Sequence, residues 1–214
     1  MSEKELKNLE NEDSEELTED GNQSVAKEIG AYLKIFIIAI VITLVLFMLI
    51  FVNAITTTGS MEPAVTEGSH VIGFRLAYLN SEPQRGDIVI FKYPVNEKLK
   101  YVKRIIGLPG ETVDISDGKI YIDGSDTPLE EDYLVESWDT KKDGYHFEVP
   151  EGCYLVLGDN RNISLDSRFY ANEALEAGVA ENDTEADTYT YVTRKEIVAK
   201  AWFSFWPKFY LIKN

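Results

Sequence analysis

From Ile35 to Val52 the sequence IFIIAIVITLVLFMLIFV runs eighteen residues without a charge, and only Thr43 is appreciably polar. At about 1.5 Å per residue this makes roughly 27 Å of helix, close to the hydrocarbon thickness of a bilayer. A helix in a soluble core keeps a polar face, whereas this run is apolar all round, so the pattern predicts a membrane span. Beyond it the pattern changes to short β-branched and aromatic runs between turn signals: 69–74, 87–91, 101–106, 112–115, 119–123, 146–149 and 154–157. Asp117-Gly118, between VDIS and KIYID, is a two-residue hairpin signal, because a type I′ turn needs positive φ at both central positions. The expected fold class is mostly β: a compact antiparallel sheet or barrel-like domain after a single N-terminal transmembrane helix. One polar, acidic connection, 169–193, lacks strand periodicity and reads as a partly mobile surface excursion.

Composition sharpens the ends of this plan. Met1 to Gly30 holds ten acidic side chains against three lysines, too little apolar surface to offset the entropy of ordering, so an unstructured acidic tail is expected there. The domain reading is therefore a tail at 1–30, an anchor at 31–54 and a β-rich domain at 55–214. Lys27 and Lys34 precede the span and no Lys or Arg follows until Arg75, which predicts a cytoplasmic tail and a domain outside the cell membrane. A cleaved leader ending at Val52-Asn53-Ala54 competes, but the apolar run is long for one and the tail is acidic. A net charge of −16 without a basic patch argues against a nucleic-acid partner. The single cysteine, Cys153, excludes an internal disulfide, and no Cys/His spacing suggests a metal; no cofactor is expected.

Three nucleophile schemes compete. A Ser-His-Asp triad could draw only on His70 and His146, and no GxSxG elbow is present. Cys153 with His146 is a second, but GCYLVLG suits a buried, inert thiol. The third begins at TGSMEP, 58–63, where Gly59 and Pro63 set a turn around Ser60. Lys103 lies in YVKRIIG, on a strand face shared with Tyr101 and Ile105. Desolvation there lowers a lysine pKa, and a neutral amine can take a proton from a serine hydroxyl. The alternative is an edge lysine that snorkels to water. GDNRNISLDSR, 158–168, is dense in turn-forming groups: Ser164 could orient the Lys103 amine, and Asp166 could pair with Arg104 or Arg168.

Together, GSMEP, RGDIVIF, YVKRIIGLPGE, GDNRNISLDSR and the late KAWFSFWP resemble the motifs of type I signal peptidases, the Ser-Lys leader peptidases, over roughly Tyr32 to Asn214. The resemblance implies Ser60 as nucleophile, Lys103 as general base and Ser164 as the hydroxyl that holds the lysine. It implies Thr58 as a side-chain oxyanion donor beside the Ser60 N–H, with Asp166, Arg104 and Arg168 as supports. It implies secretory preproteins as substrates, cut after small residues at −3 and −1, with Met61, Tyr101 and Val102 as candidates for the surface that admits them. Ala64, where the family commonly has Thr, and the long acidic connection depart from the pattern. The aromatic end, AWFSFWPKFYLI, suits a bilayer interface, core packing or both. Two other functions stay open: a self-cleaving Ser-Lys protease, and a catalytically silent anchored binding domain.

Overall fold

A computed structural model describes residues 3–139 and 144–213, with side chains from Lys27 onward. The chain divides into two compact units, 1–48 and 49–214. In the first, helix α1 (Glu3–Ile50) begins well before the apolar run. The acidic segment assigned from composition to an unstructured tail is thus helical from Glu3. Glu, Leu and Lys are strong helix formers, no proline precedes Pro63, and extending an existing helix needs no new nucleus. Within α1, residues Lys27–Ile50 are long and apolar enough to cross a membrane, and none of that window is buried.

The apolar run does not end as helix. Phe51–Ile55 forms strand β1, which shortens the expected anchor. Its burial alternates, with Val52 and Ala54 inward and Asn53 and Ile55 outward, a period of two that the surrounding all-apolar composition hides. The strands read from the sequence follow: β2 (His70–Phe74), β3 (Ile88–Tyr93), β4 (Asn96–Gly107), β5 (Thr112–Ser116), β6 (Lys119–Ile122), β7 (Tyr145–Glu148) and β8 (Cys153–Leu157). Helices α2 (Tyr170–Glu176) and α3 (Asp183–Asp187) come next, then β9 (Val192–Thr193), β10 (Ile197–Trp206) and β11 (Tyr210–Leu211).

The strands pair antiparallel throughout. The larger sheet has the order β1-β2-β10-β3-β4-β8-β9, with β11 on β10; a smaller sheet has the order β6-β5-β7. Asp117 and Gly118 both take positive φ, as the β5–β6 turn requires. β10 is among the elements the sequence reading missed. AWFSFWP was read for its aromatic rings, yet it is a central strand between β2 and β3 with Ala199, Ala201 and Ser204 buried.

The core lies in three main clusters. One joins Val52, Met61, Val65, Ile88, Ile90 and Val102; a second joins Val89, Phe91, Tyr93, Ile105, Tyr154 and Tyr170; a third sits beneath the small sheet around Val113, Ile120 and Phe147. Burying each such side chain contributes about 1.5–3 kcal/mol. The 169–193 connection is no loose excursion. Ala174, Ala180 and Ala186 bury against one another, and the Asn182 side chain caps α3 by accepting from the Glu185 N–H at 3.0 Å. Two such short helices, whose buried contacts are mostly alanines, carry too few large apolar residues to announce themselves in the sequence.

Candidate active site

Ser60 sits in a single 3₁₀ turn, Gly59–Met61, tied by bonds from the Glu62 N–H to Gly59 O (3.1 Å) and the Val65 N–H to Met61 O (2.8 Å). Met61, 1% exposed, fastens this turn into the first core cluster. It therefore packs into the core and does not line the groove beside Ser60, where the sequence reading places it. Thr58, exposed at the entrance to the turn, donates from Oγ1 to Ser60 Oγ at 3.2 Å.

Lys103 reaches Ser60 from the middle of β4. Its Nζ lies 2.6 Å from Ser60 Oγ and the residue is 4% exposed, so it does not snorkel to water. Burial is the main influence on the amine and lowers its pKa to about 8; Asp166 and Asp159 oppose the shift and Arg168 adds to it. A substantial share of amine is therefore neutral near physiological pH, and a neutral amine at that distance can accept the hydroxyl proton.

The 158–168 segment closes over the turn. The Asn160 N–H donates to Ser60 O at 3.1 Å, and the Gly158 N–H to Asp166 Oδ2 at 3.0 Å. Asp166 takes a fork from Arg168, with both contacts at 2.8 Å. Burial alone would raise the Asp166 carboxyl, but the Arg168 bonds and charge, the Gly158 N–H and Lys103 together hold it below the usual range. Gly158 permits the close approach. A Cβ there would stand 2.1 Å from Ser164 Oγ and 2.5 Å from Ser60 O.

Of the two arginines the sequence offers Asp166, Arg168 takes it. Arg104 does not share Asp166; it forks onto Asp159, Nε to Oδ1 at 2.8 Å and Nη2 to Oδ2 at 2.7 Å, because Asp166 is already filled by Arg168. Ser164 is buried beside Gly158, and its Oγ has no hydrogen-bond partner among the described residues, the Lys103 amine included. The amine is occupied by Ser60 instead. The other nucleophile schemes find no support: His146 Nδ1 contacts Asp114 Oδ1 at 2.6 Å, the His70 ring edges onto Phe205, and burial raises the Cys153 thiol.

An open groove of about 390 Å³ leads to Ser60 and Lys103. Thr56, Thr57 and Thr58 form one wall, Leu99 to Lys103 of β4 the other, with Ile163 and Leu165 completing it. Tyr101 and Val102 are on this wall as expected. No cluster of three or more His, Cys, Asp or Glu side chains occurs among the described residues.

Residues 29–206 match the family described as signal peptidase, peptidase S26. The chain belongs to that family. It is 35% identical to signal peptidase I of Leptolyngbya laminosa over 69% of this chain and 65% of that one. It is 34% identical to signal peptidase I of Bacillus licheniformis over 71% of this chain and 84% of that one. Among solved structures, a signal peptidase I of Enterococcus faecalis aligns at 32% identity and a TM-score of 0.42, covering 56% of this chain and 97% of that chain.

Around this S26 site lies a strap that the motifs do not include. Glu131 pairs with Arg161, whose Nε donates to Gly158 O at 2.9 Å; the Tyr133 ring lies 3.9 Å from the Arg104 guanidinium. Trp138 packs on Arg161 and Arg168 at 4.9 and 5.2 Å. A count could have found it. Arg104, Arg161 and Arg168 are all buried and need three acidic partners, but 158–168 offers only Asp159 and Asp166, so the third had to come from elsewhere.

Proposed function

We propose that this chain is a membrane-anchored serine endopeptidase that removes signal peptides from secretory preproteins through a Ser60–Lys103 dyad. The observation that carries the reading is the 2.6 Å contact between Lys103 Nζ and Ser60 Oγ in a buried setting that lowers the amine to about 8. The neutral amine takes the Ser60 proton as Oγ adds to the scissile carbonyl. Thr58 Oγ1 and the Ser60 N–H stabilise the resulting oxyanion. The ammonium then returns the proton to the departing amine, leaving an ester on Ser60. Water, deprotonated by Lys103 in turn, hydrolyses that ester and frees Ser60.

Arg104 with Asp159, and Arg168 with Asp166, brace the site. Ser164, buried and unpaired among the described residues, is the candidate to accept an N–H of Lys103 when the amine is charged. The groove wall at Tyr101 and Val102 admits small side chains at −1 and −3, with the substrate in extended form. The apolar part of α1 supplies the anchor, and Lys27 and Lys34 before it support a cytoplasmic N-terminal side.

The test uses purified full-length protein in detergent and a preprotein substrate. Cleavage after the small −1 residue is expected, with Ser60→Ala and Lys103→Ala each reducing it by at least about a thousandfold. Full activity in Lys103→Ala would exclude the dyad. Cleavage of this chain alone, leaving the preprotein intact, would favour the self-cleaving alternative.

A further inference from the structure

The wall formed by Leu99 to Lys103 is a strand with one side unused. β3 pairs with β4 along its length, from Lys100 to Arg104, whereas β8 joins the opposite side only at Arg104, Ile105 and Gly107. Residues 99–103 therefore present a free edge to the groove, with no second strand neighbour among the described residues. An extended peptide satisfies such an edge by adding to it as a strand. Side chains directly opposite each other across that ladder would then lie about 5 Å apart and interact pairwise.

The charge on this wall is one-sided. The two cationic side chains lining the groove are Lys100 and Lys103, and its lining residues include no carboxylate, in a chain of net charge −16. Lys103 is committed to Ser60. Lys100 is exposed and makes no ion pair among the described residues. Its register partner on β3 is another cation, Lys92, and the nearby Glu97 is taken by Lys92 at 3.0 Å. The hairpin thus leaves one ammonium unneutralised where a substrate strand would pass.

We propose that Lys100 selects substrates bearing an acidic side chain at position −4 or −5. This rests on the reading of Ser60 and Lys103 as the reacting pair and of Tyr101 and Val102 as the wall for the small residues. The carbonyl under attack lies at Ser60, level with Lys103. Each substrate residue toward its N-terminus advances about 3.3 Å along the edge, so the residue opposite Lys100 is three steps before −1. A carboxylate there meets an unpaired ammonium, and a lysine there meets a like charge.

One preprotein is made with Asp, Ala or Lys at −4, and again at −5, and kcat/KM is measured for each with the wild-type chain, Lys100→Gln and Lys100→Glu. The ratio of the Asp to the Lys substrate is read within each enzyme, so differences in folding or overall activity cancel. The expected ratio is about three- to tenfold in favour of Asp for the wild type, near unity for Lys100→Gln and inverted for Lys100→Glu. It should shrink as salt rises, because the pair is exposed. The same ratio in all three enzymes would overturn the role of Lys100 while leaving the peptidase reading intact. Failure of the wild type to cut any of the substrates would bring down the peptidase reading, and this inference with it.

Discussion

Below pH 8 the folded chain holds Lys103 as a buried ammonium, a charge that costs free energy the unfolded chain does not bear. The folded pKa of about 8 lies below that of a free lysine, so the unfolded state binds more protons between the two values and stability rises with pH across that window. The penalty is fully present below pH 8 and gone near pH 10.5, and its size is on the order of 3 kcal/mol. Lys103→Met should therefore raise the midpoint of urea unfolding at pH 7, with the gain fading as the pH approaches 10.5. The same shift governs the rate: kcat/KM for a preprotein should climb with pH to a plateau, with a midpoint near 8. A midpoint above 10 would mean an ordinary lysine. On the proposed mechanism, stability given up at this residue is what makes an amine available as a base.

Among the elements, the turn at Gly59–Met61 and the 158–168 segment fold as partners, and their contact leaves no space for a methyl group at Gly158. Gly158→Ala should push Ser164 and the Ser60 carbonyl aside, costing about 1–3 kcal/mol of stability and lowering kcat more than it changes KM; chemical denaturation and steady-state kinetics check both. What was legible in the sequence follows the range of the interaction. Ser60 in its turn, Lys103 on a strand and the Asp117-Gly118 hairpin are set by neighbours a few residues away, and all three are present in the fold. The partner of Arg104, the burial of Met61 and the unpaired Ser164 depend on contacts between distant segments. No local pattern encodes those. β1 and β10 were missed for another reason: a strand at the end of an apolar run, or one rich in tryptophan and phenylalanine, has the same composition as a membrane or interface segment.

For the whole molecule, the proposed function assigns anchoring to the 1–48 unit and cleavage to the 49–214 unit. A chain beginning at residue 49 should still unfold cooperatively by circular dichroism and cut a soluble signal-peptide substrate, while only the full chain floats with phospholipid vesicles in a density gradient. Partition of both forms alike would remove α1 as the anchor. Within 49–214, β4 carries the proposed base at 103, the braced arginine at 104 and the groove wall at 99–102, all measured out on one ladder. That arrangement decides where this lineage can tolerate a change of chain length. Arg104 and Ile105 are pinned to β8, so deletion of Val102 leaves Lys103 in place and turns Leu99, Lys100 and Tyr101 to the opposite face. The α2–α3 connection can lengthen or shorten between generations without touching that ladder, whereas a single lost codon in β4 yields an enzyme that keeps its chemistry and forgets its substrates.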